Sequence, residues 1–231
     1  MAARVAMLQM QKDGLIDLPP VAERYRSCFV NRSFKDLELP SLEPLCGTVQ
    51  NLSLEINVVG QKESRLWNAY IDLYHYLGYT KLGGAQLRYI VSAQGRPVAF
   101  FGFSAAAWKV KSRDEFIGWS PEQKERKKGV KKEKATGLRR ILTKIEIPHR
   151  DSHLLARMAI RLPGDWYRTY SYKPVLLETF VQKDRFKGTC YRAANWIYLG
   201  DTKGRGKFDV KHRNAAPVKS IWVYPLQKQY D

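Results

Sequence analysis

A chain of 231 residues with 40 Lys or Arg against 22 Asp or Glu carries a formal net charge of +18. Such an excess builds a positive field that recruits polyanions, nucleic acid first and anionic membrane surfaces second. With 44% apolar and 12% aromatic residues the chain can bury a core, which excludes a disordered tail, and no run approaches the roughly 20 apolar residues of a membrane span.

The first residues, MAARVAMLQMQKDG, lack the long apolar centre and small-residue cleavage site of a signal peptide. Cys28, Cys46 and Cys190 show no C-x-x-C spacing. Their pattern suits a reducing, cytoplasmic setting and argues against a disulfide framework or a zinc knuckle.

In chain order, Ala2 to Lys12 reads as a helix stopped by Gly14, followed by LIDLPP as an extended exit. Residues 19 to 47 hold four prolines and read as a linker. Residues 1–47 are thus expected to be the remnant of an N-terminal helical region, ahead of a domain spanning 48–231. NLSLEINVV reads as a half-buried strand. A helix follows over residues 62–77, its stripe formed by Leu66, Tyr70, Leu73, Tyr74 and Leu77 and its end by Gly78. LRYIVSA and VAFFGFSAAAW make a strand pair joined by QGRP, with apolar residues on both faces, and so belong inside the sheet. SPEQ at 120–123 has the form of a capping box. What it opens is a basic stretch, 124–144, between Lys124 and Lys134 of which only Val130 is apolar. This stretch predicts a solvated helix or an arm outside the core.

ILTKIEI (141–147) returns to strand alternation. Asp151 then caps a helix through about Leu162, with Leu154, Leu155, Met158 and Leu162 as its buried stripe. PVLLETFV, YRAANWIYLG and VKSIWVYPL read as three strands, the last two around a glycine-rich loop. Paired strands alternating with helices predict a mixed α/β or α+β domain, a central sheet flanked by helices.

Several constellations carry chemistry. GDTKGRGK fails as a phosphate-binding P-loop, since Asp201 stands where the first Gly belongs and Phe208 follows the Lys. It remains a cationic loop in which Lys203, Arg205 and Lys207 suit polyanion contact, or are merely solvated. Glu178 lies on the strand face of Leu176 and Phe180. A carboxylate there is either paired with a core arginine such as Arg192 or has the raised pKa of a general base, with Asp114 or Tyr191 assisting. Arg113 and Asp114, if extended, point to opposite faces and do not pair. His149 and His153 have helical zinc spacing, but His149 precedes the cap and cations crowd it, so no metal is assigned. Asp72, Asp114 and Glu178 could in principle gather around Mg²⁺ as nuclease carboxylates do, yet nothing in their spacing requires it. Tyr89, Trp108, Tyr191, Trp196 and Tyr198 are expected mostly in the core, a minority stacking on bases.

The segment LWNAYIDLYHYLGYTKLGGAQLRYIVSAQGRPVAFFGFSAAAWKVKSRDEFIGWS, with SHLLARMAIRLP, PVLLETFV and GTCYRAANWIYLGDTKGRGK, resembles the DruA family of the Druantia anti-phage defence system, over about Leu66 to Tyr224. The resemblance implies a bacterial cytoplasmic component of a defence or mobile-element module, with other defence proteins as partners. It supplies no reaction and no cofactor. The element order is also similar to GNAT-type acyltransferases, as fold-level analogy. Family members carry a strand where the basic stretch stands here, so a weakened or lost central strand is expected. In a GNAT-like fold acetyl-CoA would bind beside that strand, and its loss would speak against acyl transfer.

Three functions follow from these readings. The first is nucleic-acid association, with Lys127, Lys128, Lys131 and Lys132 of the arm and Lys203, Arg205 and Lys207 of the loop gripping DNA or RNA phosphate. The second is a GNAT-like or nuclease-like enzyme using Glu178. The third is a scaffold within a defence complex.

Overall fold

The computed structural model describes residues 53–106, 110–118, 136–142 (backbone), 150–204 and 216–227, with pieces at 10–11, 13–16, 37 and 39. Met1–Glu38 and Leu39–Asp231 are two compact units. In the first, a helical end at residues 10–11 closes on Gly14, whose φ of 71° lets the Leu15 N–H reach the Met10 carbonyl at 2.9 Å.

In the second unit the elements are β1 (Leu54–Val58), α1 (Ser64–Tyr74), β2 (Gln86–Ala93), β3 (Arg96–Ala105), α2 (Lys111–Ile117), β4 (Thr136–Leu142), α3 (Arg150–Tyr170), β5 (Leu176–Gln182), α4 (Thr189–Ala193), β6 (Ile197–Asp201) and β7 (Lys219–Pro225). The described strands form one seven-stranded sheet in the order β1-β2-β3-β4-β5-β7-β6. All neighbours are antiparallel except β4 and β5. The domain is therefore mixed α/β, with α3 as the crossover between its two parallel strands. At the β2–β3 hairpin, Gln94 and Gly95 have φ of 51° and 72°, the paired positive values that make a two-residue turn follow strand twist.

Strand alternation assigns the two faces. On one, Tyr89, Val91, Phe101 and Phe103 meet Leu154, Leu155, Met158, Leu162 and Trp166 of α3, together with Tyr191, Ala194 and Trp222. On the other, α1 packs Trp67, Tyr70 and Ile71 against Phe100 and Leu82. Beside it Ile117 of α2 meets Val175, Leu176 and Val223. Gly102 allows the first contact, since a Cβ there would stand 3.0 Å from the Trp67 ring.

Helix α3 carries the anticipated stripe but runs on past Pro163 to Tyr170. Proline forfeits a backbone hydrogen bond inside a helix, and tertiary contacts offset the loss. Trp166 is fully buried, and the buried Asp165 accepts from the Tyr89 hydroxyl at 3.0 Å, from Arg161 Nε at 3.0 Å and from Arg168 Nη2. The Tyr170 hydroxyl accepts from the Gln86 N–H at 2.8 Å and donates to the Gln86 carbonyl at 2.7 Å, fastening the helix end to β2. Burial alone would raise the Asp165 carboxyl, but hydrogen bonds from Arg161, Arg168 and Tyr89 outweigh it and hold it below its usual range. Burial, then the adjacent carboxylate, push the Tyr89 phenol well above its own.

Four expectations are corrected. The buried stripe of α1 is Trp67, Tyr70 and Ile71, while Leu73 and Leu77 are 61% and 57% exposed; the helix ends at Tyr74, before Leu77 is reached. The central strand is present: β4 falls within the basic stretch at Thr136–Leu142, takes in the first two residues of ILTKIEI, whose remainder lies outside the described residues, and pairs with β3 over seven residues. KSRDEFI is helical rather than extended. Residues 189–193, read as strand from their aromatics, form α4, opened by Gly188 at φ 70° and closed before Asn195 at φ 60°.

Candidate functional site

Strands β4 and β5 pair at only two positions, Thr136 with Leu177 and Gly137 with Glu178. Beyond that point β4 continues along β3 and β5 along β7. The sheet therefore splays at its only parallel junction among the described strands, and Glu178 sits where the strands part.

Glu178 is completely buried on the face of Leu176, which is covered by α2. Arg113 of that helix donates from Nη1 to Glu178 Oε2 at 2.8 Å. It also donates from Nε and Nη2 to Asp114 Oδ1, at 3.1 and 2.8 Å. Arg113 and Asp114 are 3% and 4% exposed. The arginine seen on Glu178 is thus Arg113, whereas Arg192 is exposed. Helical geometry also overturns the expectation that Arg113 and Asp114 do not pair: at successive helix positions the long arginine folds back over its neighbour. A guanidinium has donors enough for both carboxylates, and such an ionic cluster survives burial only because its charges are hydrogen-bonded.

Tyr191 is not brought to this cluster. Glu178 stands opposite Val223 in the sheet, whereas Tyr191 packs on the other face against Trp222, with ring centroids 6.4 Å apart, and Trp196, at 5.1 Å. Asp72 accepts the Tyr79 N–H at 2.9 Å after α1. Among the described residues no three His, Cys, Asp or Glu lie together as metal ligands, and no helix is long and apolar enough to cross a membrane. His153 is exposed; His149, Trp108 and the SPEQ box lie outside the described residues.

Among the described cations, Lys203 and those of the turn after β5 fall at the end of the sheet towards which β5 runs. Of those expected to bind nucleic acid, Lys203 is described and exposed, while Lys127, Lys128, Lys131, Lys132, Arg205 and Lys207 lie outside the described residues. Backbone bonds from Thr202 N to Lys219 O (2.8 Å) and from Lys183 N to Val218 O (3.1 Å) place the Lys203 loop beside the turn that follows β5. That turn, KDRFK, presents Lys183, Arg185, Phe186 and Lys187, all exposed. Lys183 is held by Asp201, which also accepts from the Tyr198 hydroxyl at 2.8 Å. The hydrogen bond from Lys183 lowers the Asp201 carboxyl, and its return raises the Lys183 ammonium. The Arg185 guanidinium lies over the Tyr76 ring, 5.2 Å from its centroid, and Phe186 meets the same ring edge-on at 5.6 Å.

Sequence reasoning missed Arg113 as an ionic partner and the Tyr76–Arg185–Phe186 group. A signal for the second existed in KDRFKG, an aromatic between cations just before a glycine. Nothing local joins it to Tyr76, more than a hundred residues earlier.

Among solved structures, the chain is similar to a GNAT-family acetyltransferase from Streptococcus pneumoniae, at 10% identity over 76% of this chain and 100% of that one, with a TM-score of 0.47. It is similar to an N-acetyltransferase from Staphylococcus aureus Mu50, at 11% identity over 75% and 97%, with a TM-score of 0.42. An aminoglycoside acetyltransferase in complex with coenzyme A matches at 10% identity over 75% and 95%, with a TM-score of 0.46. Likenesses this distant transfer no residue and no reaction. No curated protein matches. The family model for Druantia protein DruA matches residues 9–228, and with that match covering nearly its whole length the chain belongs to the DruA family of the Druantia anti-phage defence system.

Proposed function

We propose that the chain serves Druantia defence as a nucleic-acid-binding component, gripping phosphate with the arm residues Lys127, Lys128, Lys131 and Lys132 and the loop residues Lys203, Arg205 and Lys207. One observation carries this reading. The turn after β5 and the Lys203 loop bring exposed Arg185, Lys187 and Lys203 to a single end of the sheet, beside Lys183 paired with Asp201, in a chain of net charge +18. Cations gathered at one place raise the local potential more than the same charges spread around the surface.

The test is fluorescence anisotropy on labelled single- and double-stranded DNA and RNA across a salt series. Binding should weaken linearly in log salt, with a slope near −0.9 per phosphate contact on duplex DNA. Reversing Lys203, Arg205 and Lys207 to Glu, and separately the four arm lysines, should flatten that slope and lower affinity. Unchanged affinity in both variants would sink the reading.

The splay favours a second reading, acyl transfer. Where two parallel strands part, backbone groups on their facing edges suit hydrogen bonding to an extended acyl carrier, and β4, whose loss spoke against this reading, is in place. Glu178 then acts as a fixed charge beside the slot, because Arg113 already holds it. Calorimetric titration with acetyl-coenzyme A tests it, and absence of heat at millimolar ligand would dismiss it.

A further inference from the structure

The turn after β5 has a feature that phosphate binding alone does not require. Phe186 is 49% exposed and Tyr76 36% exposed, although both have apolar rings that water solvates poorly. Neither hangs on a loose segment. The N–H groups of Arg185 and Phe186 reach the Gln182 carbonyl at 3.3 and 2.9 Å, and the Lys183 N–H reaches Val218. Gly188, immediately after Lys187, is packed under Trp222. The Phe186 ring is thus presented by a backbone-bonded turn and braced by a T-shaped contact with Tyr76, whose face carries the Arg185 guanidinium. Cations stand on both sides of it in sequence, Arg185 and Lys187.

Building on the nucleic-acid reading, we infer that Phe186, braced by Tyr76 and flanked by Arg185 and Lys187, is a stacking platform for an unpaired base, so that the preferred partner is single-stranded. A flat aromatic face with open surface stacks on any base, whereas a base within a duplex is covered by its neighbours and offers no face. Flanking cations meet the phosphates on either side of the stacked nucleotide, which matches the polyanion attraction of the whole chain. Because the turn is already ordered, binding loses little conformational entropy at this point.

The test uses the full chain with a labelled oligothymidylate, an oligouridylate and a mixed-sequence duplex. Phe186→Ala removes the ring at an exposed position. It should weaken single-strand binding by roughly 5- to 150-fold, the equivalent of one stacked base, and change duplex binding by less than about twofold. The salt slope should not move, since no charge is lost. Phe186→Trp should restore single-strand affinity, and an abasic residue scanned along the oligonucleotide should reproduce the loss at one position. The two single-strand ligands separate DNA from RNA as the source of the base. If Phe186→Ala leaves single-strand affinity within about twofold while the wild type binds, the platform is refuted and the nucleic-acid reading stands. A wild type that binds none of the three ligands overturns both.

Discussion

Arg113 is the residue whose loss the structure makes most consequential. Arg113→Met keeps an unbranched chain of similar reach but removes the guanidinium that donates to Asp114 and Glu178, which are 4% and 0% exposed. Both buried carboxylates then lose the hydrogen bonds of the guanidinium. Removing one partner of a buried ion pair costs about 3–5 kcal/mol, against a total stability for a domain of about 5–15 kcal/mol. At roughly 2–4 °C per kcal/mol for a domain of this size, the melting temperature should fall by about 6–20 °C. Urea unfolding followed by tryptophan fluorescence measures the change directly, and a cycle with Glu178→Leu isolates the pair. The double variant should be more stable than the two single losses added together, by about 2 kcal/mol, because the Arg113–Glu178 hydrogen bond is lost only once in the double variant but is counted in both single losses. Glu178→Gln keeps an acceptor for Arg113 and should cost less than Arg113→Met, about 1–3 kcal/mol. An Arg113→Met penalty below about 1 kcal/mol, with an additive cycle, would show that the guanidinium does not hold Glu178. Glu178 would then return as a candidate base, and the phage protection conferred by Glu178→Gln would become the decisive assay.

Two further predictions concern stability. Asp165 has a depressed folded pKa, so its contribution is present above the unfolded value, near 3.9, and is lost as pH falls through the folded one. Asp165→Asn should therefore lower stability at pH 7 by about 1–2 kcal/mol, a figure reduced because Arg161 and Arg168 are partly in water; the gap to the wild type should narrow in urea titrations as pH falls below about 3.9, and a constant gap would refute the linkage. Gly188→Ala places a Cβ 2.9 Å from the Trp222 ring on a residue with φ of 70°. Left-handed backbone strain and overpacking together should cost about 2–4 kcal/mol in the same assay, and a neutral result would mean that α4 is not seated on Trp222.

Patterns that repeat along the chain were legible without a structure. Alternation in LLETFV placed Glu178 and Leu176 on one face and Leu177 and Val181 on the other, because the side-chain period of a strand is fixed by its backbone. The stripe Leu154, Leu155, Met158 and Leu162 marked α3 for the same reason, and the cationic excess followed from counting charges. Short elements were not legible. Five residues of α4 span barely more than a helical turn, too few for periodicity to outvote the strand preference of Tyr and Trp, and Trp222 settled the matter by packing against Gly188. β4 was obscured by its charges, and pairing with β3 places it in the sheet at Thr136–Leu142. The chemistry of Glu178 depended on which cation reached it. Sequence alone required that a buried carboxylate be paired or perturbed, since an uncompensated charge cannot remain in an apolar interior. Only the docking of α2 on the sheet chose Arg113, 65 residues away in the chain. Tertiary structure also joined Tyr76 to Arg185 and Phe186, because contacts between distant segments are fixed by how helices and turns close over a sheet, a choice no local pattern encodes.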